Sequence, residues 1–196
     1  YTSGGHWLLL WDFLITALIV WIVLRSGFYD RLAGKLSKRG ASVRIFLLCS
    51  IFLLVSALLS LPWTIYADWW RETAYGRTSQ PLVDFLSQTV ISTLIAALIG
   101  GLFFLGVYTL IRRSGRLWWL WSGAFSSLAI AVLLLLAPAF IEPLFNEYKP
   151  LPEGPVRQAL NAMADDAGIA RDRIFVFDGS RQSNNFTANV SGVLGT

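Results

Sequence analysis

With only one histidine and one cysteine among 196 residues, this chain can carry little chemistry on its own. His6 has no second imidazole to pair with, so neither a His-based dyad nor a His-pair zinc site can be assembled from these residues. Cys49 lies inside an apolar run, which leaves no internal disulfide and no cysteine metal site. No GxSxG elbow, phosphate-binding loop or dinucleotide fingerprint occurs. Carboxylates collect toward the C-terminus at Glu142, Glu147, Glu153, Asp165 and Asp166, where they suit a solvated face better than an acid/base pair. Asn185-Phe186-Thr187 and Asn189-Val190-Ser191 match the glycosylation sequon, a pattern short enough to arise by chance. Asp12 stands between Trp11 and Phe13. A carboxylate near a membrane-helix end usually reaches the interface, and a buried functional acid is the rarer case. No catalytic or metal-binding residue is assigned.

The elements that would position any site are set by the bilayer. Four apolar runs, 7–24, 45–61, 89–111 and 117–137, each cover about 17 to 23 residues, enough to cross roughly 30 Å of hydrocarbon. Charged residues make up 14% of the chain, against about 25% in soluble domains. The expected fold is mainly α, a polytopic helical membrane protein with about four transmembrane helices. Pro62 lacks a backbone donor and is expected to close the second helix; Pro138 marks the expected end of the fourth. Segment 63–88 interleaves Trp63, Tyr66, Trp69, Trp70 and Tyr75 with Asp68, Arg71, Glu72, Arg77 and Asp84. Amphipathic rings at this density suit the headgroup layer, so the segment reads as interfacial, with a lid over a membrane cavity as the alternative. Ala97 and Gly101 form a small-xxx-small pair that lets another helix approach closely. Packing within the chain is the ordinary use of such a pair and dimerisation the rarer one.

The net charge of +4 is unevenly spread: residues 1–138 hold eleven Lys/Arg against five Asp/Glu, and residues 139–196 five against seven. Positive charge beside membrane spans reflects topology, so no nucleic-acid partner is expected. Loops 25–44 and 112–117 carry six and three Lys/Arg, segment 63–88 two, and residues 1–6 none. That excess places both basic loops in the cytoplasm, and four crossings then put the tail after Pro138 on the opposite side.

The tail is a different kind of sequence. Pro150-Leu151-Pro152-Glu153-Gly154 is a turn, and Pro155 suits the first position of a helix. Val156, Ala159, Leu160 and Met163 give that helix one apolar face, and Gly168 is placed to end it. An apolar run at 174–177 reads as a buried strand and 186–194 as a second. The chain thus divides into a membrane region, 1–138, and the start of a soluble α+β domain, 139–196. The latter is too small to bury a sound core and is expected to continue past Thr196.

Several separate motifs, in order, resemble one family. FIEPLFNEYKPLPEG (140–154), the helix closing at Gly168, RIFVFDGSRQS (173–183) and a TAN-x-x-G-like strand (187–192) are similar to the integral-membrane zinc metallopeptidases typified by CAAX prenyl protease 1. Upstream, SALLSLPWTIY (56–66) resembles the family segment that ends its third span, and Glu72, Tyr75-Gly76 and Gln80 fit the loop after it. The resemblance covers roughly residues 45–194. It implies a helical membrane chamber capped by a zinc peptidase domain that hydrolyses membrane or membrane-proximal polypeptides. Zinc would be held by a HExxH helix and a distant glutamate, with the HExxH glutamate activating water. This chain has no HExxH, so it is expected to be inactive alone, with the remainder of the peptidase domain, the lipid bilayer and a polypeptide substrate as partners. By alignment on Gly192, the strand Thr187, Ala188, Asn189, Val190 and Ser191 would pair with extended substrate through its backbone. The family has Asn where this chain has Thr187 and an aromatic where it has Asn189. An ordinary core strand is the alternative. Eukaryotic relatives carry the zinc domain on the cytosolic side, opposite to the side that the loop charges indicate here. Prenylated substrates are not implied, because nothing in these residues reads a lipid or a C-terminal motif. The rival reading is a non-catalytic membrane scaffold, sensor or assembly protein; a transporter has less support.

Overall fold

The computed structural model describes residues 2–146, 148–166, 168, 174–179 and 182–184. Helix α1 (Thr2–Arg25) leads into a short α2 (Phe28–Lys35), then α3 (Ala41–Thr64), α4 (Arg71–Ala74), α5 (Leu82–Arg113) and α6 (Trp118–Leu136). Four of these helical stretches are long and apolar enough to cross a membrane: Gly4–Arg25, Ala41–Ala74, Leu82–Arg113 and Gly115–Leu136, with mean hydropathy 2.4, 2.5, 2.4 and 2.0. Their outward faces are bare hydrocarbon, with Leu134 69% and Leu58 68% exposed to what must be lipid in a folded state. The chain is a multi-pass integral membrane protein.

The second crossing does not stop at proline. α3 continues through Pro62, widens into a π-helical segment at Ile65–Trp70 and runs on as α4, so the helical stretch reaches Ala74. The reason is the solvent. In water the groups that proline frees are hydrated and the helix can end. In lipid the helix gains by continuing: past the proline the Ile65 N–H bonds back to Leu61 O and Pro62 O, and farther on the Arg71 N–H reaches Tyr66 O in π spacing. Pro138 behaves alike, lying within a second π segment, Ala137–Ile141, that prolongs α6. Much of the aromatic segment expected at the interface is therefore a continuation of the second helix. The polar loop after α1 likewise contains α2, tied back by Tyr29 against the Phe52 ring, centroids 5.7 Å apart.

Lipid gives helices no hydrophobic reason to associate, so contact depends on fit and on interhelical hydrogen bonds. Ala97 and Gly101 of α5 are buried against α3, where Ser50 Oγ donates to Ala97 O at 3.0 Å. The small-xxx-small pair thus packs within the chain. One turn along, Gly106 leaves room for the Phe125 ring of α6, which stacks on Phe103 at 5.8 Å. α1 joins α3 through Trp63 Nε1, which donates to Asp12 Oδ1 at 3.2 Å.

After α6 come β1 (Tyr148–Pro150), α7 (Pro155–Asp166) and β2 (Phe175–Phe177). β1 and β2 pair antiparallel, Lys149 opposite Val176. Helix α7 and strand β2 fall where the apolar spacing puts them, but β2 is not the buried strand expected: Phe175 is 53% and Val176 43% exposed, because the described residues pair it only with the short β1. Gly168 takes the left-handed φ of 68° that favours glycine after a helix. β1 has no sequence signal, being three residues with a proline. The second strand expected at 186–194 lies outside the described residues.

Candidate functional site

The π segment sets up a polar cluster at the end of the membrane helices. Glu72 takes two guanidiniums, with Arg71 Nη1 at 3.1 Å from Oε1 and Arg77 Nε at 3.0 Å from Oε2. Arg71 is 9% exposed, and the Glu72 carboxylate and the Tyr75 ring, 5.3 Å from its guanidinium carbon, help to offset its desolvation. α4 ends in a Schellman motif. Gly76, at φ 67°, gives its N–H to Thr73 O and Arg77 gives its own to Glu72 O, at 3.0 and 2.9 Å. The reversed chain is then held against the helix by Trp69 Nε1, which donates to Gln80 O at 2.8 Å. Thr78 Oγ1 accepts the Gln80 N–H at 3.1 Å, fixing the turn.

The tail returns to this loop. Asn184 donates its backbone N–H to Arg77 O at 2.7 Å, and its Nδ2 to Gly76 O at 2.9 Å and Ser79 Oγ at 3.1 Å. Gln182 Nε2 reaches Phe145 O at 3.4 Å, tying the same turn to the segment after α6. Between these elements lies a polar cleft of about 360 Å³ whose walls include Asp68, Glu72, Gln80, Gln88, Thr89, Phe145 and Gln182. A second, wider groove of about 610 Å³ runs between α1 and the aromatic face of the π segment, with Trp7, Trp11, Trp63, Tyr66 and Trp70 along it.

Of the residues that carry the family resemblance, Glu72, Gln80 and Ser183 line the cleft, and Gly76 lies on the adjoining loop, where its carbonyl accepts from Asn184 Nδ2. The candidate substrate strand Thr187, Ala188, Asn189, Val190 and Ser191 lies outside the described residues. Sequence reasoning passed over three residues that matter here. Asp68 and Arg71 stand within an aromatic run and read as interfacial charge, and Asn184 gives no spacing signal. Among the described residues no group of three His, Cys, Asp or Glu side chains could hold a metal, and His6 is the only imidazole in the sequence. The described donors do not fit a zinc site.

Similarity to known proteins agrees with this architecture. The chain is 29% identical to CAAX prenyl protease 1 of Saccharomyces cerevisiae over 151 residues, covering 74% of the chain and 33% of that protein. It is 28% identical to an uncharacterized metalloprotease of Bacillus subtilis, YhfN, over 145 residues, covering 72% of the chain and 34% of the relative. The chain therefore spans about a third of these curated relatives. Its fold resembles the crystal structure of S. mikatae Ste24p with a TM-score of 0.71 at 21% identity, over 86% of this chain and 41% of that one. Residues 1–147 match the model of a family described as CAAX prenyl protease N-terminal, with five membrane helices, where the described residues here show four long apolar ones. A match over that much of the sequence settles kinship: the chain belongs to the CAAX prenyl protease N-terminal family.

Proposed function

We propose that these residues are the membrane half and the opening of the peptidase domain of an integral-membrane zinc metalloendopeptidase that cleaves membrane or membrane-proximal polypeptides. The observation that carries this reading is the seating of the 182–184 turn on the 76–80 loop at the end of the membrane helices. It ties a segment resembling the family's entrance to the peptidase domain directly to a polar cleft. The names of the relatives, a CAAX prenyl protease and a metalloprotease, support the reaction class. On this reading residues 1–138 are the membrane region and 139–196 begin the catalytic domain. The strand Thr187 to Ser191 follows shortly after the Asn184 anchor and pairs with extended substrate through its backbone. Zinc is held by a HExxH helix outside this sequence, and these residues alone do not hydrolyse peptides. The basic segments 25–44 and 112–117 face the cytoplasm.

The test is metal analysis and peptide hydrolysis on the full-length protein purified without chelators. Stoichiometric zinc, with hydrolysis lost to a chelator and restored by zinc, is the expected result. A protein that carries no zinc and cleaves no peptide belongs to the scaffold or sensor class instead.

A further inference from the structure

The polar cleft contains a carboxylate that the fold leaves unused. Asp68 lines it, and among the described residues no cation pairs with it and no donor reaches it. The charged groups that act on it electrostatically are both carboxylates, Asp12 and Glu72. Glu72 already holds two guanidiniums, and one of them, Arg77, also lines the cleft, whereas Asp68 has no ion-pair partner among the described residues and feels the repulsion of Asp12 and Glu72.

A second, independent group points into the same space. Gln80 is 7% exposed and lines the cleft, and its Nε2 has no hydrogen-bond acceptor among the described residues. Native proteins leave few buried amide donors unmatched, because the desolvation is not repaid. An occupant that brings a carbonyl oxygen would repay it. A carbonyl oxygen and a positive charge on one ligand describe a stretch of polypeptide bearing lysine or arginine. Phe85 and Phe145 in the wall suit the aliphatic stem of such a side chain.

We propose that this cleft is a subsite for a basic side chain of the polypeptide substrate, with Asp68 receiving the ammonium or guanidinium and Gln80 Nε2 donating to a backbone carbonyl. The assignment rests on the peptidase reading above and names the substrate feature recognised there.

The experiment uses the full-length protein in lipid nanodiscs and a set of neutral fluorogenic peptides, each with lysine, norleucine or glutamate at one scanned position. One lysine position should raise kcat/KM about tenfold over norleucine, the scale of a partly desolvated charge pair. Asp68→Asn should reduce that ratio to near unity, and Asp68→Lys should transfer the preference to the glutamate peptide, a gain that a misfolded variant cannot produce. Gln80→Met should raise KM for all the peptides alike and leave the lysine preference in place. Cleavage with no lysine preference, or with a preference that survives Asp68→Asn, overturns the subsite. If no peptide is cleaved, the peptidase reading fails, and photo-crosslinking of benzophenone-bearing lysine and norleucine peptides then decides the subsite by itself. Selective labelling by the lysine peptide that Asp68→Asn abolishes supports the subsite, and equal labelling rejects it.

Discussion

At Gly101 the missing side chain lets α3 and α5 touch: a Cβ there would overlap Ser50 Oγ and press on the Phe46 ring. Ser50 has nowhere to swing, since its hydroxyl is committed to Ala97 O. At neighbouring Gly100 the atom in the way is Leu53 Cδ1, the far end of a side chain that can change rotamer. Gly101→Ala is therefore expected to destabilise the protein by about 1–3 kcal/mol through overpacking, and Gly100→Ala by clearly less. Ser50→Ala alone should cost about 0.6 kcal/mol, the average found for an interhelical hydrogen bond in a membrane. Adding it to Gly101→Ala should cost less than the sum, because removing the hydroxyl vacates part of the space that the new methyl needs. Thermal unfolding in detergent reads all four variants. A Gly101→Ala protein as stable as the parent would show that these helices do not meet here.

The element between Pro62 and the 75–81 loop works as a bracket. The π segment holds the helix together past proline, α4 closes on Gly76, and Asn184 bonds to the carbonyls and hydroxyl left at the turn. Asn184→Ala keeps the backbone bond to Arg77 O but removes both side-chain donations. Losing about 1 kcal/mol of local stability should speed amide hydrogen exchange of residues 75–81 about fivefold, with exchange around Ala97 and Gly101 unaltered. Equal exchange in the loop would mean that the tail is not seated there. This bracket was largely illegible in the sequence, whereas the spans were plain. Seventeen or more apolar residues in a row have one cheap solution in lipid, and α7 and β2 announced themselves by spacing and bounding turns. Pro62 misled because the rule that proline closes a helix assumes water to take up the freed groups. The seating of Asn184 on Ser79 joins positions 105 residues apart, and no local pattern encodes such a pairing. Glu72, Gly76 and Gln80 stood out through family resemblance, whereas Asp68, without a motif, emerged only once the cleft had walls.

At the scale of the molecule, the four crossings put the connections within the basic segments 25–44 and 112–117 at one end and the 75–81 loop at the other. The tail turn joins that second end through Asn184, so the cleft and the tail turn share one side of the membrane whichever side it is. By the positive-inside rule, nine Lys/Arg in the segments 25–44 and 112–117 against two in 63–88 predict the basic end in the cytoplasm and the cleft outside it. The family resemblance implies the reverse for eukaryotic relatives, so the sidedness is a measurable disagreement between a charge rule and kinship. Cys49 is the only cysteine among these 196 residues; a protein stripped of Cys49 and of any cysteine outside them gives the blank background for single cysteines at Ser37, Ser114 and Thr73. In intact cells a membrane-impermeant maleimide should label Thr73→Cys and spare Ser37→Cys and Ser114→Cys until the membrane is opened. Labelling of Ser37→Cys and Ser114→Cys from outside would turn the whole bundle over. Because helices and tail are tied at one end, that single result would carry the cleft and the Asn184 anchor into the cytosol together.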